Sequence, residues 1–422
     1  MSSLVRLRLL PSAKCLYTQP VQVLVDGLRS SQVVTVKAGT TDDKGTLFHA
    51  SAVYRAGADG GVDLGRDPSL GGSYRGVEPM GLLSSLRADV LHAKFFKIDS
   101  RKPHVVRFSV HEGEEEAGAT LAEATNERRL LADGVSRQPI DEGNIRGVLF
   151  VPPGEGPFPA VLDLYTFGGG LSERRASLLA NCGFMVLTLA LYGHHQPKTV
   201  TKLHLDYFEE AIQFLRKQPK VMDSGVGLIS LSKSGDLALS MATYLPHVKA
   251  TVWINGCCSN VVMPLYYRGS QLLSGLMYDG RDLRFTESGA LIIKDGLHDP
   301  LAPENQGSLI PVEQAAGHFL FVAGEDDLNW DSCLFADHLT ERLRRHGKDN
   351  FEKVFYPGTG HYMEPPFGPF CPSSVHAVVG AVVAWGGEPK AHAEAEVHLW
   401  SKIQEFFRKH LVSDTASAKA RL

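Results

Sequence analysis

The sequence predicts two domains, a β-sandwich followed by an α/β domain built on a mostly parallel sheet. Three observations predict it. Short β-prone runs without helical periodicity fill the first third of the chain, and strand and helix signals alternate from residue 145 onward. A polar, turn-like stretch at 133–144 separates the two patterns. The division is placed between 141 and 142, giving domains 1–141 and 142–422.

In the first domain, strands are expected at 21–25 (Val-Gln-Val-Leu-Val), 33–38, 48–54, 95–98 and 105–110, each rich in β-branched or aromatic residues. Gly60-Gly61, Gly71-Gly72 and Pro79 punctuate them. In the second, strands are expected at 147–151, 160–165, 184–191, 226–230, 249–254, 319–323 and 353–356. The run at 184–191 is almost continuously apolar, as a strand covered on both faces must be. Helices are expected at 174–180, 203–217 and 235–244, the second with Leu205, Phe208, Ile212 and Leu215 on one side. A last helix carries Val397, Trp400, Ile403, Phe407 and Leu411 at helical spacing. The stretch 263–307 is irregular and reads as an insertion near a site.

Composition narrows the function. With 422 residues, 43% hydrophobic and 21% charged, the chain has the makings of large cores and is not globally disordered. A net charge of −4 makes it a poor partner for nucleic acid. No apolar run approaches the roughly 18 residues of a membrane helix. Six cysteines without a Cys-x-x-Cys pair give neither a disulfide framework nor a zinc knuckle, and the default compartment is reducing. No metal and no cofactor is expected.

Both ends carry possible addresses. Arg6, Arg8 and Lys14 precede the first acid, Asp26, as in a mitochondrial presequence, but the strand at 21–25 leaves little room for a removable peptide. Beyond the last helix, a small polar tail ends in Ala420-Arg421-Leu422, close in size and charge to the peroxisomal Ser-Lys-Leu. A peroxisomal location is expected, with the cytosol as the alternative and mitochondria third.

Sites in open parallel sheets lie at the carboxyl ends of strands. Three polar residues fall there in the chain order Ser, Asp, His, the order of the α/β-hydrolase triad. The first lies in Ser230-Leu-Ser232-Lys-Ser234-Gly235, where a strand runs straight into a helix. A nucleophile elbow needs small residues two before and two after the serine, and here they are serines rather than the usual glycines. Taken locally, the segment equally fits a Ser-rich helix cap, and the choice among three serines stays open. The second is the strand end Gly324-Glu-Asp326-Asp327, whose Gly-x-x-Asp pattern favours Asp327 as the acid that orients a histidine, although a turn aspartate reads the same way. The third is His361 in the Gly-rich loop Tyr356-Pro-Gly-Thr-Gly-His361, where a lone histidine could also be structural. Their joint occurrence at strand ends in this order favours a hydrolytic site. The oxyanion donors are expected at the backbone N–H of Lys233 and of Thr166, the latter opening the glycine-rich turn after the strand at 160–165. His194-His195 lack companion ligands, Cys257-Cys258 read as buried structural thiols, and Arg342, Arg344, Arg345 and Lys348 read as a solvated helix face.

Longer strings add a family. Leu70-Gly-Gly-Ser-Tyr-Arg-Gly-Val-Glu-Pro-Met-Gly-Leu-Leu83, Leu203-His-Leu-Asp-Tyr-Phe-Glu-Glu-Ala211, Asp326-Asp-Leu-Asn-Trp330, Gly360-His-Tyr-Met-Glu-Pro-Pro366 and Trp385-Gly-Gly-Glu-Pro-Lys-Ala-His392 span nearly the whole chain. It resembles the type I acyl-CoA thioesterases and their relatives, the bile acid-CoA:amino acid N-acyltransferases. The resemblance implies an N-terminal immunoglobulin-like β-sandwich and an α/β-hydrolase domain. It also implies that Ser232 is the nucleophile, Asp327 the acid and His361 the base. The amino-acid-conjugating relatives carry Cys where this chain has Ser232. An oxygen ester is more naturally resolved by water, so hydrolysis of long-chain acyl-CoA is expected, with acyl transfer to glycine or taurine as the alternative. A monomer is expected, with acyl-CoA as its substrate partner and the peroxisomal import receptor as a protein partner.

Overall fold

A computed structural model describes residues 4–114, 118–165, 171–190, 201–281 and 283–412. The chain divides into two compact units, Met1–Ala132 with Glu364–Cys371, and Asp133–Met363 with Pro372–Leu422. The division falls ahead of the expected one between 141 and 142, and a short later segment joins the first unit. The reason is pairing: Ser136–Glu142, polar enough to read as a linker, bonds along its whole length to Ile145–Val151 and becomes an edge strand of the second unit.

The first unit is a two-sheet β structure. Arg6–Leu10, Gln22–Asp26 and Val62–Asp63 form a small sheet. The larger one runs through Lys14–Leu16, Thr120–Arg129, His104–Glu112, Val33–Thr41, Leu47–Arg55 and Gly71–Gly72. Alternation sends Val106, Phe108 and Val110 inward, where they join Val34, Val36, Val23 and Val25 in one buried cluster. The expected strand at 95–98 does not form, because side chains take its backbone donors. Phe96 N–H donates to Asp42 Oδ2 (3.1 Å) and Ile98 N–H to Asp43 Oδ2 (2.7 Å).

The second unit is built on eight strands: β1 (Ser136–Glu142), β2 (Ile145–Val151), β3 (Phe158–Leu164), β4 (Met185–Leu189), β5 (Val221–Leu231), β6 (Val248–Ile254), β7 (His318–Gly324) and β8 (Phe351–Tyr356). Their spatial order is β1-β2-β4-β3-β5-β6-β7-β8. β2 is antiparallel to its neighbours and β3 to β8 pair in parallel, so the carboxyl ends of six strands share one edge. Its helices are α1 (Arg174–Ala180), α2 (Leu205–Arg216), α3 (Ser234–Tyr244), α4 (Ser332–Arg345) and α5 (Pro389–Leu411). The strands are buried on both faces, as their apolar runs require. α5 lies so close to β5 that a Cβ at Gly227 would sit 2.8 Å from the Phe407 ring. Among the described residues no helix is long and apolar enough to cross a membrane.

Candidate active site

β5 ends at Leu231 and α3 begins at Ser234, so Ser232 and Lys233 alone make the turn. That is too tight for ordinary backbone, and Ser232 adopts φ 61°, a region a side chain with a Cβ disfavours. Backbone bonds hold it there. Ser232 N–H donates to Ile254 O (3.0 Å) and Ser232 O accepts from Gly235 N–H (2.7 Å). The two serines standing for glycines are both used. Ser230 Oγ donates to Val252 O on β6 (3.0 Å). Ser234 Oγ accepts from Leu231 N–H (2.9 Å) and lies 2.5 Å from Leu164 O on β3. The crowded position is Gly235, where a Cβ would lie 2.9 Å from Gly256 Cα and 3.0 Å from the Trp253 ring.

β7 ends at Gly324, where any side chain would collide with the carbonyl oxygen of Thr359. The chain then turns to Asp327, which is buried. Its Oδ1 accepts from the N–H groups of Asn329 (2.8 Å) and Trp330 (3.0 Å), and its Oδ2 from Ser332 Oγ (2.5 Å) and His361 Nδ1 (2.8 Å). Four donors hold this carboxyl group in place and direct one oxygen at the imidazole. Asp326 does not share this role; its N–H donates to Thr359 O (3.0 Å).

His361 is 1% exposed and stacks on Trp385 with ring centroids 5.6 Å apart and planes at 14°. Trp330 meets its edge at 6.0 Å. His361 N–H donates to Trp385 O (2.7 Å). The following Gly386 sits at φ 80°, and a Cβ there would collide with Asp326 O, so the Trp-Gly-Gly string ties the acid loop to the base loop.

The structure thus brings Asp327 and His361 together. Ser232 lies at the same edge of the sheet, without a hydrogen bond from its hydroxyl to His361. His361 Nε2 is buried and has no hydrogen-bond partner among the described residues. Ser232, Lys233 and Trp330 line a cavity of about 220 Å³ with Val261, Met263, Tyr278, Leu283, Leu291, Ile293 and Val378. Much of this wall comes from 261–293, overlapping the stretch expected to be an insertion near a site. The Tyr278 hydroxyl accepts from Trp330 Nε1, and burial raises its pKa. The charged side chains at the cavity are engaged elsewhere: Lys233 Nζ bonds Asp236 Oδ2 (2.7 Å) and Asp279 pairs with Arg281. Asp236 is fully buried, and burial pushes its pKa up despite Lys233.

Of the two expected oxyanion donors, Lys233 follows Ser232 at the head of α3, and Thr166 lies outside the described residues. His194 and His195 lie outside them too. Cys257 and Cys258 are buried, and desolvation raises the Cys257 thiol well above its ordinary value, as inert thiols should be. The basic face of α4 is spoken for: Arg342 pairs with Glu313, Arg345 with Glu341, Lys348 donates to Ala315 O, and Arg344 lies over the Phe351 ring. Sequence reasoning missed Ser332 and Trp385 as supports of the pair. It also passed over Asn255, whose one visible signal was its place at the end of a predicted strand.

An antiparallel second strand, a strained serine turn and an Asp–His pair on a parallel sheet define an α/β hydrolase. Residues 203–413 match the family model "BAAT / Acyl-CoA thioester hydrolase C terminal" and residues 18–142 match "Acyl-CoA thioester hydrolase/BAAT N-terminal region". Human acyl-coenzyme A thioesterase 1 is 45% identical over 403 residues, covering 95% of this chain and 96% of that protein. Human mitochondrial acyl-coenzyme A thioesterase 2 is also 45% identical over 403 residues, covering 95% of this chain and 83% of that protein. Mouse peroxisomal succinyl-coenzyme A thioesterase is 42% identical over 414 residues, covering 98% of each. Similar solved structures include the acylaminoacyl peptidase of Pyrococcus horikoshii (12% identity, TM-score 0.42, 94% of this chain and 61% of that one). An α/β hydrolase from Penicillium is another (16% identity, TM-score 0.39, 66% of this chain and 99% of that one). The chain belongs to the acyl-CoA thioester hydrolase family.

Proposed function

We propose that the chain hydrolyses long-chain acyl-CoA to free fatty acid and CoA through Ser232, His361 and Asp327. The observation that carries the reading is the Asp327–His361 bond: with Nδ1–H donating to Asp327 Oδ2, Nε2 presents a lone pair. In this scheme Nε2 removes the Ser232 proton as Oγ attacks the thioester carbonyl. The tetrahedral oxyanion is held by the Lys233 N–H, with the Thr166 N–H as the second donor. Collapse expels CoA thiolate, which takes the proton from His361. His361 then draws a proton from water, whose oxygen attacks the serine ester, and returns it to Ser232 Oγ as the tetrahedral intermediate collapses to the free acid, which loses its remaining proton to solvent. Asp327 stays ionised throughout and stabilises the imidazolium.

The cavity beside Ser232 supports an apolar acyl chain. Burying a second carboxylate there would set it beside the Asp279 anion and a largely apolar wall, with the lysine among the described lining residues, Lys233, already paired to Asp236. Dicarboxylyl esters such as succinyl-CoA are therefore disfavoured. The test is turnover of acyl-CoAs of graded length, with and without taurine, by the parent and by Ser232→Ala. Ser232→Ala should lower CoA release by about 10⁴-fold or more while circular dichroism stays unchanged. Full residual turnover would remove the triad, amide formation outpacing free acid would make the chain an acyltransferase, and preference for succinyl-CoA would overturn the chain-class reading.

The relatives include human and mouse proteins named mitochondrial and a mouse protein named peroxisomal. We propose peroxisomal import through Ala420-Arg421-Leu422, which lie outside the described residues, with the import receptor as partner to a monomeric chain. A fluorescent fusion at the N-terminus should be punctate and become diffuse when the three residues are deleted; mitochondrial or unchanged distribution would overturn the address.

A further inference from the structure

The geometry points to Asn255 as the residue that sets the base loop against the acid loop, a positioning residue for His361; the inference rests on the triad reading above. Asn255 is the first residue after β6, fully buried, with φ 46°. Its own N–H donates to Val322 O on β7 (2.9 Å), which fixes the backbone. The side chain then reaches both loops. Oδ1 accepts from Gly324 N–H (2.8 Å), the last residue of β7 before the turn to Asp327. Nδ2 donates to Gly360 O (3.1 Å) and to His361 O (2.7 Å).

These partners also settle which way the amide faces, since a backbone N–H can meet only the oxygen and two carbonyls can meet only the nitrogen. One planar amide therefore spans from the root of the acid loop to the peptide that carries the base. The contact is direct: it grips the carbonyl of His361 itself, while Trp385 O grips the N–H of the same residue. With both ends of its peptide unit held, His361 turns only about its side-chain bonds, and Asp327 and Trp385 fix those.

Two other readings of Asn255 are separable from this one. Asparagine tolerates positive φ, so the residue could serve the backbone turn alone. Glycine tolerates it better, so Asn255→Gly keeps the turn and removes the amide. Asparagine could also serve only folding, in which case activity would follow the folded fraction and the pH profile would not move.

The experiment compares the parent, Ser232→Ala, Asn255→Gly and Asn255→Asp with palmitoyl-CoA, reading kcat, KM, the pH dependence of kcat/KM and thermal melting. Asn255→Gly should lower kcat by about 10²-fold, the order expected when a reacting group is misplaced by an ångström, with KM changed less than about threefold. Its acid limb should move to lower pH, because a loosened Asp327–His361 bond supports the imidazolium less well. Asn255→Asp keeps the acceptor for Gly324 N–H but sets an anionic oxygen against two carbonyls. Its activity relative to the parent should rise as pH falls and the new carboxyl regains a proton to donate. Asn255→Gly within about twofold of the parent, or a loss that tracks melting with the pH limb unmoved, would overturn the assignment. If Asn255→Gly does not fold, Asn255→Asp decides: relative activity flat across pH overturns it. The two levels stay distinguishable. Turnover by Ser232→Ala defeats the triad itself, whereas an inert Ser232→Ala beside a fully active Asn255→Gly defeats only the role of Asn255.

Discussion

Ser234 occupies a place where the elbow pattern usually has glycine, and the sequence offered no reason to prefer serine. The coordinates supply one. Its Oγ accepts from Leu231 N–H and faces Leu164 O, both on buried residues at the ends of their strands. Ser234→Gly would therefore restore the familiar motif and destabilise the protein. Losing the buried hydrogen bonds of this hydroxyl costs about 1–3 kcal/mol, and the urea midpoint should fall accordingly. An unchanged or raised midpoint would show that water replaces the hydroxyl. The same scale separates Asp326 from Asp327. The Gly-x-x-Asp pattern favoured Asp327, and the donors of Asn329, Trp330, Ser332 and His361 converge on that carboxylate.

Among the elements, those with a strong apolar period were legible and those with a polar face were not. Residues 174–180 read as a helix and form α1, and the apolar strands of the parallel sheet formed within a few residues of expectation. Thr120–Arg129 was missed because it is charged outside and its buried positions are the polar Asn126 and Arg128, so no period-2 apolar signal rises above the background. At the far edge of the sheet from the site, β7 begins at His318, and His410 in the last turn of α5 lies beside it with ring centroids 4.0 Å apart. Burial, then His318 and Lys409, depress the pKa of His410 to about 4, with Glu352 opposing and Phe406 packed edge-on. A depressed histidine is protonated more readily in the unfolded chain. The stability it contributes is complete above about pH 6.5 and is lost as pH falls toward about 4. His410→Phe keeps a ring in the stack but cannot take a proton. The drop in urea midpoint between pH 7 and pH 5 should shrink in this variant, and an undiminished drop would place the acid sensitivity elsewhere.

For the whole molecule, the fold class was readable before any coordinate. Local pattern sets it: apolar runs of strand length alternating with helical periods admit a parallel sheet, and a parallel sheet puts Ser, Asp and His at one edge. The family strings narrowed the reading further. What the sequence could not contain is anything that depends on two distant segments meeting. The segment Ser136–Glu142 belongs to the second unit because Ile145–Val151 pairs with it, and the lining at 261–293 surrounds a cavity because the sheet edge lies behind it. Asn255 acquires its importance from Gly324, Gly360 and His361, partners roughly seventy to a hundred residues away. Hydrogen-bond geometry at that separation is fixed by packing, and no local preference of a residue encodes it.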